Sequence, residues 1–295
     1  MWNDSCALPS PFTAADLGTG RGERARRVRV VTSYRERARR VARLVAHLGR
    51  MWFGARFLTA RLGRWERQAL VQRWAAEMLD ALTIDVVVRG EVPPKDWPLL
   101  VVANHTSWVD TWVLNTLNPA RFVAKSEMRR WAIIGTIAER FGTFFIVRGS
   151  CRAAARTKTA VARALSAGEP VGAFPEGTTT DGTTVRAFYP ALFQAAIDAD
   201  VLVQPVAIRY LTATGEPTTA AAFIDDMSIV DSLRPILAAP RLIAEVTFCA
   251  PLFASGRTRR GLARQSHASI SGALGVSAAQ TVPSAAIIPS SRRAA

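Results

Sequence analysis

Two periodicities divide the chain. Over residues 41–62, Val41, Leu44, Val45, Leu48, Met51, Trp52, Ala55 and Leu62 gather on one side of a helix turning about 100° per residue. Arg39, Arg43, Arg50, Arg61 and Arg64 fall roughly opposite. An apolar face with an arginine back suits a helix lying on anionic lipid, and equally a helix packed on the protein's own core with its arginines in water. Gly49, Gly54 and Gly63 weaken this helix and allow a break into two.

From residue 84 onward, short apolar runs alternate with helical stretches. Residues 84–89, 99–103, 144–147, 171–174, 201–208 and 242–248 predict strands, by their length and β-branched content. Residues 111–117, 129–140, 152–167 and 191–199 predict helices, and a last one runs from 259 to 274. Gly168 suits a helix terminator. The alternation predicts an α/β fold: a mixed, largely parallel sheet covered by helices, preceded by an N-terminal amphipathic helical arm.

Composition changes the picture mainly at the ends. A chain of 295 residues supports one substantial core with a small appendage. Residues 1–32 are expected to form a disordered basic N-terminus, 33–78 the amphipathic helices, 79–275 the α/β domain and 276–295 a disordered tail. The uncharged stretch 268–291 is rich in Ser, Ala, Gly and Pro, and no segment has the apolar length of a spanning helix. Of the net charge of +15, sixteen arginines against three glutamates between Arg21 and Arg73 supply +13, so the basicity belongs to the N-terminal region. Such a region also fits an organelle transit peptide or a nucleic-acid-binding arm. All eight tryptophans lie within residues 1–131, where indoles can anchor at a lipid interface, and this turns the reading toward a membrane surface. Cys6, Cys151 and Cys249 are too scattered for a metal site or a disulfide framework, which points to a reducing compartment.

The chemistry concentrates in "VVANHTSWVD" (101–110), where an apolar strand stops at an amide, an imidazole, two hydroxyls and a carboxylate. Polar residues at the carboxyl ends of strands in an open α/β sheet face the ligand crevice. Within one regular helix, His105 and Asp110 would point about 140° apart. They meet only if His105 lies in the turn and Asp110 in the first helical turn, with Thr106 or Ser107 available as a cap. A helix N-terminus favours neutral imidazole, and a carboxylate on its second nitrogen strengthens it as a base. Such a pair can deprotonate a hydroxyl. With no serine or cysteine nucleophile beside it and no G-x-S-x-G elbow, it suggests direct transfer rather than a covalent intermediate. A histidine satisfied by local turn hydrogen bonds is the competing structural reading.

The stretch N-H-T-S-W-V-D resembles the N-H-x-x-x-x-D signature of the glycerolipid acyltransferase family, whose best-known members are 1-acylglycerol-3-phosphate acyltransferases. "RFVAKSEM" (121–128), "FGTFFIVRGS" (141–150), "AFPEGTTTDG" (173–182) and "VQPVAIRY" (203–210) are similar to further family segments and follow in the family's order. The resemblance implies His105 as general base, Asp110 as the group that orients it, and no acyl-enzyme. It implies Arg148 as an anchor for an anionic head group, Lys125 at the oxyanion or a phosphate, and Glu176, Gly177 and Thr178 as an acceptor-binding loop. Glu176 would orient the acceptor through its hydroxyls. The donor would be an acyl thioester on acyl carrier protein or coenzyme A. No metal and no further cofactor would be needed.

One departure bears on the acceptor. Phosphatidate-forming members carry Glu-Gly-Thr-Arg in the third segment, and this chain has Thr179 at the arginine's place. The first expectation is acylation of 1-acyl-sn-glycerol-3-phosphate. Lyso-ornithine lipid is the alternative, because Glu-Gly-Thr-Thr followed by Asp-Gly resembles bacterial enzymes acting on that lipid. A non-catalytic basic nucleic-acid-binding protein is the more distant reading, and no nucleic acid partner is expected. The expected location is the cytoplasmic face of a membrane, as a peripheral or monotopic protein.

Overall fold

The structure, a computed structural model, describes residues 32–147, 151–224 and 226–276. The expected disordered ends therefore lie almost entirely outside the described residues. Two helices come first, α1 (Tyr34–Phe57) and α2 (Arg64–Leu82), joined by a 3-10 turn at Thr59–Arg61. Strands β1 (Ile84–Arg89) and β2 (Leu99–Ala103) follow, then α3 (Asp110–Leu117), β3 (Arg121–Lys125), a 3-10 turn at Ser126–Arg130, α4 (Ala132–Arg140) and β4 (Phe144–Ile146). The chain continues through α5 (Cys151–Ser166), β5 (Val171–Ala173), α6 (Phe193–Asp198), β6 (Leu202–Thr212), α7 (Ile229–Ala238), β7 (Leu242–Phe248), β8 (Leu252–Phe253) and α8 (Arg259–Leu274).

The strands form one sheet in the order β1-β7-β6-β2-β5-β3-β4, with β8 on β6. Strands β2, β3, β4, β5 and β6 are mutually parallel, whereas β7 runs antiparallel to β6 and β1 parallel to β7. The carboxyl ends of five strands thus open on one edge, with β2 in the middle. All five residues of β2 are buried because both faces of the sheet are covered. Leu99, Val101 and Ala103 face one core, shared with α1, α2, α3 and α7. Leu100 and Val102 face the other, shared with α5, α6 and α8. Two-sided burial explains the unbroken apolar run, which worth about 1.5–3 kcal/mol per large side chain fixes where the polar turn begins.

Helix α1 uses its apolar stripe in two ways. Leu44, Met51 and Ala55 are buried and Leu48 packs beside them, while Val41, Val45 and Trp52 of the same stripe remain exposed, Val45 at 63%. Phe53, Phe57 and Leu58 are exposed as well. Arg40 turns inward, and its guanidinium donates to the carbonyls of Ala239 (2.8 Å) and Pro240 (2.9 Å) ahead of β7. Buried His47 bonds through Nε2 to the carbonyl of Trp74 in α2 at 3.0 Å, and burial lowers its pKa. Gly54, which weakens the helix in isolation, is required by packing: a methyl group there would lie 2.5 Å from the Trp74 ring. Helix α2 then runs beyond residue 78 to Leu82, so the expected boundary at 78–79 falls inside a helix.

Several expectations need correction. The helix expected over 129–140 is a 3-10 turn followed by α4. Strand β3 has no strand-like local signal, because "RFVAK" has charged ends and a short apolar centre. Helix α7 is masked locally as well; it carries Pro235 in its interior. Strand β6 extends four residues past the expected end because β7 pairs with it as far as Thr212.

Candidate active site

The turn after β2 is fastened to the neighbouring strand before any functional side chain appears. The Asn104 side chain donates from Nδ2 to the carbonyl of Ile208 (2.9 Å) and accepts from the Ile208 amide at Oδ1 (2.8 Å), replacing one rung of the ladder to β6. His105 follows, held at both backbone groups: its N–H donates to Glu176 Oε1 (2.7 Å), and its carbonyl accepts from Thr180 N–H (2.8 Å). The imidazole Nδ1 lies 2.9 Å from Asp110 Oδ2. That carboxylate accepts, so Nδ1 carries the proton and Nε2 is left with its lone pair. The ring lies flat on Phe174, with centroids 4.0 Å apart and planes 9° from parallel, and its side chain is 20% exposed.

Asp110 opens α3 and is completely buried. Its Oδ2 also accepts from the amides of Thr106 and Ser107, each at 2.8 Å. Its Oδ1 accepts from the Tyr210 hydroxyl at 2.7 Å and from the Thr106 hydroxyl at 3.4 Å. The expected cap is therefore reversed. Neither Thr106 nor Ser107 caps α3 with its side chain; the Asp110 carboxylate closes the turn by taking their amides. Ser107 is fully buried and its hydroxyl accepts from the Val109 amide at 3.2 Å, so it faces no substrate.

Glu176 also differs from expectation. It is 3% exposed, and its two oxygens accept from the amides of His105 (2.7 Å) and Arg186 (2.8 Å). It therefore fastens the loop after β5 to the His105 turn. Burial pushes its pKa up to about 7; the two amides oppose this shift and the Asp110 charge adds to it. Gly177 adopts φ +71°, a left-handed conformation that favours glycine. Thr178 is half-buried in the same loop. Lys125 ends β3 at the shared carboxyl edge and is exposed. Arg148 lies outside the described residues. Among the described residues, no cluster of three or more His, Cys, Asp or Glu side chains is arranged to hold a metal ion.

Sequence reasoning missed four contributors. Tyr210 sits on the overhang of β6, four residues beyond the Val206 that pairs with the end of β2, and only that overhang brings its hydroxyl to Asp110. Burial and the Asp110 charge push its phenol well above the ordinary value. Phe174 and Phe122 stack in series behind the imidazole, with 5.6 Å between their centroids. Gly172 makes room for them, since a methyl group at that position would lie 2.4 Å from the Phe122 ring. The residues "GAF" (172–174), which run into the third motif, held that signal, but nothing local names their partners.

A protein-family model described as Acyltransferase matches residues 85–209, and the chain belongs to this acyltransferase family. Over 215 residues the chain is 39% identical to a lyso-ornithine lipid O-acyltransferase of Pseudomonas aeruginosa, covering 73% of this chain and 82% of that protein. It is 32% identical to a 1-acyl-sn-glycerol-3-phosphate acyltransferase of Neisseria meningitidis, covering 73% and 84%. The crystal structure of the 1-acyl-sn-glycerophosphate acyltransferase PlsC from Thermotoga maritima superposes with a TM-score of 0.62 at 20% identity, over 81% of this chain and 93% of that one, which shows a shared fold.

Proposed function

We propose that this chain moves a fatty acyl group from a thioester to the free hydroxyl of a lysolipid. The observation that carries the reading is the His105–Asp110 contact, with Nδ1 committed to the carboxylate and Nε2 free to accept a proton. In this reading Nε2 takes the proton of the acceptor hydroxyl as its oxygen attacks the thioester carbonyl carbon. The C–S bond then breaks, and the proton passes to the departing thiolate, an adequate leaving group. No acyl-enzyme is needed in this reading, and the hydroxyl-bearing residues that follow the base in the chain, Thr106 and Ser107, are buried. Lys125 is assigned to the oxyanion and Arg148 to the acceptor's head group. Gly177 and Thr178 line the acceptor loop.

For the acceptor, lyso-ornithine lipid moves ahead of 1-acyl-sn-glycerol-3-phosphate. Thr179 removes a phosphate-binding guanidinium, and the Pseudomonas aeruginosa protein is the more similar of the two relatives compared. The site works at a membrane surface in this reading. Val41, Val45, Trp52, Phe53, Phe57 and Leu58 offer exposed apolar side chains amid arginines, while no helix among the described residues is long and apolar enough to cross a bilayer. An acceptor screen tests the reading: lyso-ornithine lipid, lysophosphatidate and other lysolipids are offered with one labelled acyl thioester. Product on lyso-ornithine lipid above the others is expected. Preferential product on lysophosphatidate reverses the choice of acceptor, and no product on any lysolipid refutes the function.

A further inference from the structure

Helix α5 presents two contrasting faces. Thr157, Val161, Ala164 and Leu165 are buried against the second core. The opposite face exposes Arg152, Arg156 and Arg163, which lie within about 40° of one another around the axis and span about 16 Å along it. Between them stand only Ala155, Thr159 and Ala160. The helix contains no acidic residue. Its lysine, Lys158, is tied to Asp198 of α6 at 3.4 Å. Elsewhere Arg121, Arg129 and Arg241 each hold a carboxylate at 2.6–2.7 Å. Among the described residues, none of the three α5 arginines has such a partner. Like charges one turn apart repel, so the fold maintains an uncompensated stripe.

We propose that this stripe docks a small acidic protein that carries the acyl thioester on a flexible arm; the inference rests on the thioester donor of the preceding section. The stripe's form selects this occupant. Guanidiniums spaced at one and then two helical turns match carboxylates along an acidic helix, and the small side chains between them allow close approach. These residues bound a hollow of about 510 Å³, but its walls come from one helix face alone, whereas a nucleotide coenzyme needs a site that encloses most of its surface. A membrane would favour apolar side chains to insert, and those project from α1 and the turn after it. The stripe is also well placed. Helix α5 follows β4, whose carboxyl end lies on the same sheet edge as His105, Lys125 and Glu176, so a carrier docked there presents its arm toward the base.

The test reverses the stripe in the full chain, R152E/R156E/R163E, with the charge-conserving R152K/R156K/R163K as companion. Acyl transfer to lyso-ornithine lipid is measured from acyl carrier protein and from acyl-CoA of the same chain length, alongside binding of fluorescent acyl carrier protein. Expected for the reversal is a KM for acyl carrier protein raised on the order of 10-fold or more, with binding weakened in parallel and acyl-CoA kinetics unchanged. The lysine variant stays near wild type, and added salt acts on the wild type as reversal does. Unchanged KM for acyl carrier protein overturns the proposal, as does equal loss with both donors or absence of carrier binding to the wild type. A reversal that fails to fold passes the decision to the wild-type salt dependence and the carrier-binding measurement. Absence of transfer from either donor to every lysolipid of the acceptor screen refutes the thioester reading itself, separately from the docking surface.

Discussion

Asp110 and Glu176 are both buried carboxylates, and both hold a backbone amide of the turn that carries His105, yet they are supported differently. Asp110 receives the His105 imidazole, two amides and the Tyr210 hydroxyl, with the Thr106 hydroxyl at longer range. Glu176 receives two amides alone, and burial pushes it up to about 7. Burial is common to both; the supply of donors differs. The many donors to Asp110 hold it as an anchor for the imidazole, whereas Glu176, with its two amides, is a joint whose proton is retained by burial.

The strongest break in this comparison removes what Asp110 holds. His105→Ala is expected to leave the fold intact and lower acyl transfer on the order of 10³-fold or more, as single-turnover assays would show, while Asp110→Asn costs roughly 10²-fold because an imidazole remains but loses its fixed tautomer. Wild-type-like turnover in His105→Ala would remove His105 as the base.

Glu176→Gln is expected to cost about 10-fold in rate, since the new amide turns a donor toward one of two backbone N–H groups. It also tests the pH response. The folded protein holds a proton on Glu176 up to about pH 7, whereas the unfolded chain releases it near the ordinary carboxylate value. The stability linked to that proton is complete at low pH and is lost as pH rises toward and through 7. Urea unfolding between about pH 4 and 8 should therefore show wild type losing about 3 kcal/mol that the Gln variant does not lose. Parallel curves would contradict this assignment.

The smallest effect sharpens the comparison. Tyr210→Phe removes one donor from Asp110 Oδ1 and leaves the apolar packing in place. With one donor fewer, the carboxylate holds the imidazole less firmly. We expect kcat to fall about 3- to 10-fold with KM unchanged. A change in KM with kcat unchanged would give Tyr210 a purely structural role.

How legible the molecule was in its sequence depended on the range of the interaction concerned. Strands β1, β2 and β7 and helix α8 match their expected bounds, since each is written in local apolar periodicity. Strand β3 and helix α7 hid behind charges and a proline, because pairing between β5 and β4 or packing on a core overrides local propensity. The apolar stripe of α1 marked positions that avoid water without saying which would meet the protein's own core.

The primary sequence by itself determined that a buried strand ends just before Asn104 and that an imidazole and a carboxylate follow five residues apart across a turn into a helix. Spacing of this kind acts over a few residues and is settled by backbone geometry. Only the tertiary structure decided that Tyr210 supports Asp110 from 100 positions away and that Glu176 grips the His105 amide across 71. Both contacts exist because β2 lies between β6 and β5, an order of strands that no local pattern encodes.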